Sequence, residues 1–248
     1  GYDTLVVTVD VPYQTRREHD IKNGLSVPPR FNLSTLCQMM AHPPWALRML
    51  FASVPQFANL ERYYDQGLPR TRSKNIKESV KFIKERLGLH ISRSVFEEIR
   101  ADWPGKLLVK GVLDPEEARM YLELGADGII VSNHGGRQLD AAPSSVRVLP
   151  LIRETVGPDA TLIADSGVRS GLDIARMLAL GADFVMMGRP FMFGVAALDH
   201  QGGGHVMHLL KSELQSIMGQ VGCATIGELP SALVSRGLEE RVKSWPMS

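Results

Sequence analysis

Short apolar runs alternate with longer amphipathic stretches along much of the chain. Leu5–Val9, Leu107–Val109, Ile129–Val131, Leu162–Ala164 and Phe184–Met187 are such runs, too short to be core helices. Each reads as a buried strand. Helical patterns lie between the last four, over 114–124, 144–155 and 170–180. Strands alternating with helices predict βαβ units and a parallel sheet. Ser92 stands where an N-cap belongs, before a helix running to Arg100. The stretch between the first two runs is different. Residues 16–29 are charged and then proline-rich, which predicts a loop. Residues 34–52 are apolar and interrupted by Pro43-Pro44, which predicts two short helices. Residues 59–75 are polar, with Gly67 and Pro69, and predict a mobile connection. Residues 76–87 mix Lys and Glu on a helical pattern and read as a solvated helix face.

The regular part contains a repeat. Leu124-Gly125-Ala126-Asp127 recurs as Leu180-Gly181-Ala182-Asp183, and Gly111-Val112 recurs as Gly167-Val168, both 56 residues on. A helix–strand junction uses glycine readily, because glycine ends a helix at little cost. Two matches in one register point further, to two copies of one βαβ unit. Repeated units of this kind suit a (β/α)8 barrel of the TIM type better than a doubly wound sheet. The fold expected is therefore α/β, a barrel of this type, with five strands read here. The whole of 1–248 is read as a single domain carrying an inserted loop and helical segment at about 30–90.

Polar and glycine-rich residues follow every apolar run. Asp10 and then Arg17 come after the first, and Lys110 after the second. Ser132-Asn133-His134-Gly135-Gly136-Arg137 follow the third, Asp165-Ser166-Gly167-Val168-Arg169 the fourth, and Gly188-Arg189-Pro190 the fifth. One polar strand end needs only an exit to solvent. Five on one rim predict a functional site, because barrels carry their chemistry at the C-terminal ends of the strands. Gly167 and Gly188 permit close backbone approach, each ahead of a helix whose N-terminus favours an anion. Arg189 adds a planar fork for a phosphate. His134 lies beside glycines in an open turn, and an imidazole exchanges protons near neutral pH.

Composition narrows the classes. A net charge of +1 over 248 residues gives no footing for nucleic-acid binding. Cys37 and Cys223 are far apart, form no metal-type spacing and fit a reducing compartment. No metal site is expected. No apolar run reaches the roughly 18 residues of a membrane span. The chain opens directly on a strand pattern without an initiator Met, so the native protein is expected to be longer.

Ser132-Asn133-His134-Gly135-Gly136-Arg137-Gln138-Leu139-Asp140 resembles the signature of FMN-dependent 2-hydroxy-acid oxidases and dehydrogenases. The likeness continues through Thr8-Val9-Asp10, Arg16-Arg17-Glu18, Val109-Lys110-Gly111, Asp165 to Arg169 and Gly188-Arg189-Pro190. It implies FMN as cofactor and oxidation of an L-2-hydroxy acid, of the lactate or mandelate type, to the 2-oxo acid. It also implies that the five strands are about strands 4–8 of the barrel, and it implies roles. His134 takes the substrate's proton, and Asp10 stabilises the protonated imidazole. Arg17 and Arg137 hold the carboxylate. Lys110 offsets negative charge on the reduced flavin, and Thr8 and Ser132 contact the ring system. Asp165, Ser166, Gly167 and Arg169 contact the ribityl–phosphate part, and Gly188 and Arg189 the phosphate. Two arginines and a fixed cation suit a carboxylate substrate and a cofactor that gains electrons.

The resemblance further implies a homo-oligomer, with a tetramer expected, and leaves quinone, cytochrome and oxygen open as electron acceptors. The segment 34–57 carries Leu36, Met39, Met40, Trp45, Leu47, Met49, Leu50, Phe51 and Phe57 with Arg48. It is similar to segments that bind membrane surfaces in the mandelate and lactate branch, and such composition suits an interface. A lid or an oligomer contact is the other expectation. The expected location is the cytoplasm, or the inner face of the cell membrane. Two other classes stand beside the enzyme: an incomplete fragment that binds only phosphate or a partner subunit, and another phosphate-binding barrel. Against the last, His134 keeps company with Arg137, Arg17 and Lys110, and a catalytic cysteine loop is missing.

Overall fold

A computed structural model describes residues 1–13, 21–22, 33–51 and 90–233. The chain divides into two compact units, one of 1–11 with 91–248 and the other of 12–90. The first begins with strand β1 (Thr4–Thr8). In the second unit, α1 (Leu33–Ala41) and α2 (Pro43–Phe51) are the two short helices expected, with Pro43 opening the second. Proline is tolerated there because the first amides of a helix have no partner within it. Leu33, Leu36, Met40, Trp45, Leu47, Leu50 and Phe51 are all exposed on this pair. Arg17, the 76–87 pattern and residues 52–57 lie outside the described residues.

The first unit continues with α3 (Arg93–Asp102), β2 (Lys106–Val112), α4 (Pro115–Glu123) and β3 (Gly128–Val131). Then come α5 (Ser145–Val156), β4 (Thr161–Ala164), α6 (Gly171–Ala179) and β5 (Phe184–Val185). α7 (Arg189–Leu198) and α8 (Gly202–Gln220) follow. The helix starts are written in the sequence. Ser92 accepts from the Val95 amide at 3.3 Å and Asp114 from the Glu117 amide at 2.9 Å. Ser170 and Asp173 form a reciprocal capping box.

All five strands are parallel and lie in sequence order, β1-β2-β3-β4-β5. Sequential order is that of a barrel; a doubly wound sheet reverses direction part-way. The two faces of the sheet differ. Leu107, Val109, Ile129, Val131, Leu162 and Ala164 are fully buried and pack with helix residues Phe96, Tyr121, Leu149 and Ile152. On the opposite face, Thr8, Lys110 and Ile130 are register partners across β1, β2 and β3. Ser132 and Asp165 continue that face at two-residue spacing. The candidate polar residues of the strands therefore share the face that a closed barrel turns inward.

Three C-terminal strand ends differ from the pattern-based expectation. β1 ends at Thr8 rather than Val9. β5 stops at Val185, short of Met187. β2 runs through Val112, so Lys110 lies inside the strand and not beyond it. The ladder explains this last point: the Val9 amide donates to the Lys110 carbonyl at 2.9 Å and keeps the pairing going. A hydrophobicity pattern stops at the lysine, whereas the backbone pairing does not.

Candidate active site

A cavity of about 510 Å³ opens at the C-terminal strand ends, entirely within the first unit. Lys110, His134, Arg137, Asp165, Arg169 and Arg189 are among its lining residues, with Ser166, Gly167 and Gly188. Nine of the sequence-derived candidates thus share one space. Asp10 and Ser132 join it through hydrogen bonds. Thr8 is exposed beside Lys110 in the ladder and is not in the lining.

His134 is held from several sides. Its Nδ1 lies 3.1 and 3.2 Å from the two carboxylate oxygens of Asp10. With the hydrogen on Nδ1 donated to that carboxylate, Nε2 keeps a lone pair and can accept a proton. Gly111 makes room for this pairing, which the sequence alone did not reveal. It adopts φ +105, and a Cβ there would stand 2.5 Å from both Cβ and Cγ of Asp10. Only glycine fits the approach without displacement.

Lys110 connects the strand face to the turn. Its Nζ donates to the Ser132 hydroxyl at 2.9 Å and lies 3.3 Å from Asp165 Oδ2. Ser132 is fully buried and accepts in addition from the His134 amide at 3.1 Å. Arg169 donates to the Val168 carbonyl at 2.7 Å and Arg189 to the Gly135 carbonyl at 3.1 Å. Each of these guanidinium groups has five N–H donors, so among the described residues most of its capacity remains unspent.

The two glycine turns, read alike from sequence, diverge here. At α6 the first amides are already engaged: those of Arg169 and Ser170 donate to Asp173 at 2.9 and 3.1 Å, and that of Gly171 to Glu213 at 2.7 Å. Two carboxylates occupy the place where an anion would sit, so this helix start is not an anion site. α7 has Gly188 as its N-cap and no side-chain cap, with Arg189 as its first residue. A Cβ at Gly167 or Gly188 would meet no atom within 4 Å, so neither glycine is there for packing. Unspent arginine donors, an uncapped helix start and open glycines fit an anionic phosphate-bearing cofactor.

The model of the FMN-dependent dehydrogenase family matches residues 1–236. The chain belongs to that family. It is 40% identical over 230 residues to the L-lactate dehydrogenase of Acinetobacter baylyi, covering 92% of this chain and 58% of the relative. It is 39% identical over 242 residues to that of Pseudomonas aeruginosa strain PAO1, covering 96% and 61%. Among solved structures, a monotopic membrane protein, (S)-mandelate dehydrogenase, superposes with a TM-score of 0.83 at 35% identity, covering 92% of this chain and 59% of that one. The chain therefore spans about three fifths of the length of these relatives. As a family member it is α/β with part of a TIM-type barrel, and the family is FMN-dependent. No helix among the described residues is long and apolar enough to cross a membrane.

Proposed function

We propose that the protein is an FMN-dependent dehydrogenase that oxidises an L-2-hydroxy acid, of the lactate or mandelate type, to the 2-oxo acid. One observation carries the reading: an imidazole paired through Nδ1 with Asp10, on a cavity that also holds Arg137 and Lys110. His134 Nε2 takes a proton from the substrate. Asp10 fixes the tautomer and offsets the charge that appears on the ring. Arg137 and Arg17 grip the carboxylate, which orients the reacting carbon. FMN, when bound, accepts the two electrons. Lys110, Ser132 and Thr8 would hold its ring system, where the Lys110 ammonium would supply a cation against negative charge. Asp165, Gly167 and Arg169 hold the ribityl chain, and Gly188 with Arg189 the phosphate.

The test is spectroscopic. Purified protein should show a flavin absorbance band that bleaches on anaerobic addition of L-lactate or L-mandelate. A flavin-loaded protein whose band neither acid bleaches would overturn the reading.

The exposed apolar side chains of α1 and α2, and the monotopic nature of the mandelate dehydrogenase neighbour, support peripheral attachment to a membrane. A membrane-borne electron acceptor fits that attachment. In flotation with anionic liposomes the protein should rise with the vesicles; protein left at the bottom of the gradient rejects the attachment.

A further inference from the structure

The geometry points to Ser166 as a positioning residue for His134, tying the turn that carries the imidazole to the Lys110–Asp165 pair instead of contacting the cofactor. This rests on His134 being the base. The Ser166 hydroxyl donates to Asp165 Oδ1 at 2.7 Å. It accepts from the Gly135 amide at 3.0 Å and from the Asn133 amide at 3.3 Å. A hydroxyl has one hydrogen and two lone pairs, and all three are used. Nothing in this side chain remains for a cofactor oxygen. Ser132 differs: it accepts from Lys110 and from the His134 amide, and among the described residues its hydrogen has no acceptor.

Three consecutive amides, of Asn133, His134 and Gly135, therefore donate into two serine hydroxyls. Both hydroxyls lead back to Lys110, one directly and the other through Asp165. The arrangement answers a need of the backbone. His134 and Ser166 have φ of 58° and 76°, in the left-handed region where residues other than glycine are strained. Such backbone persists where its surroundings over-determine it. Ser166 supplies that constraint from β4 to the turn after β3. A base works only within a narrow geometry, so the aim of the imidazole depends on a residue that never touches substrate.

Ser166→Gly tests this, since glycine adopts the same φ without strain and removes the hydroxymethyl group that bridges the two turns. In the FMN-loaded protein kcat should fall roughly 10- to 100-fold with KM and FMN affinity unchanged. Hydrogen exchange at the Gly135 amide should accelerate by roughly tenfold, the equivalent of one net hydrogen bond. Loss of FMN affinity with kcat unchanged at saturating FMN would make Ser166 a cofactor contact and overturn the inference. Unchanged exchange at Gly135 would overturn it as well. His134→Gln alongside separates the two layers: if that variant keeps its turnover, the base assignment fails, while the Gly135 exchange rate still judges the clamp.

Discussion

At the N-terminal edge of the sheet, Asp127 and Asp183 each close a clamp; at the C-terminal edge, Asp10 and Asp165 face an imidazole and an ammonium on the rim of a cavity. Asp127 accepts from the Leu107 amide at 2.9 Å and pairs with Lys106 at 2.8 Å and Arg100 at 3.2 Å. Asp183 accepts from the Leu162 amide at 2.7 Å and pairs with Arg153 at 2.8 Å. Arg153 also donates to the carbonyls of Gly181, Gly157 and Ala160. These groups spend their hydrogen bonds on protein. At the other edge Lys110, Arg169 and Arg189 keep donors over among the described residues. The same ingredients are thus saturated at one end and leave donors available at the other, as expected of the stability and binding ends of a barrel.

Breaking the C-terminal edge should cost activity first. His134→Gln is expected to lower turnover by more than the ~10² to 10⁴ of general base catalysis, because the hydrogen-bonded pairing with Asp10 is lost too. Its thermal midpoint should stay near that of the parent. Rapid-mixing measurement of flavin reduction checks this, and near-normal reduction would remove the distinction between the two edges. Gly111→Ala should come next. The new Cβ collides with Asp10 at a φ that alanine resists, so we expect roughly 10²-fold lower turnover and a stability loss of about 1–3 kcal/mol. Kinetics and urea unfolding on the same preparation would report both, and an unaltered kcat would show that Asp10 does not need its place.

The opposite edge should respond in stability alone. Asp127→Asn is expected to cost about 1–2 kcal/mol, at the lower part of the range for hydrogen bonds to charged groups because the clamp is partly exposed. Turnover should not change. The Asp127 carboxyl is held below the usual carboxylate range, chiefly by the hydrogen bond from Lys106, then by that from the Leu107 amide, with the charges of Lys106 and Arg100 adding to them. A depressed folded value means that the clamp stabilises fully above the unfolded pKa of about 3.9. That contribution is lost as pH falls through the lower folded value. Urea midpoints taken from pH 6 down to pH 2 should therefore fall less steeply in Asp127→Asn than in the parent. Parallel curves would mean that the clamp carries no pH-linked stability.

Much of this architecture was legible along the chain. The apolar runs located all five strands, and Ser92 marked a helix start, because capping is decided within a few residues. The repeat of Leu-Gly-Ala-Asp was visible, and its meaning became plain in space: Gly125 and Gly181 both take positive φ, and both aspartates reach across to the amide of a neighbouring strand. The division between the two glycine turns was not legible. Glu213, which takes the Gly171 amide, lies 42 residues further on in a different helix.

The sequence by itself determined the alternation of strands and helices, the polar strand ends and the family signature around His134, since these rest on local periodicity and contiguous motifs. The partnership of Asp10 with His134, 124 residues apart, was implied by the family resemblance; only the tertiary structure decided that Gly111 leaves the space for it and that Ser166 spends its hydroxyl on the turn. Contacts of that kind depend on how strands are stacked side by side, and stacking brings together residues whose separation along the chain carries no trace of it.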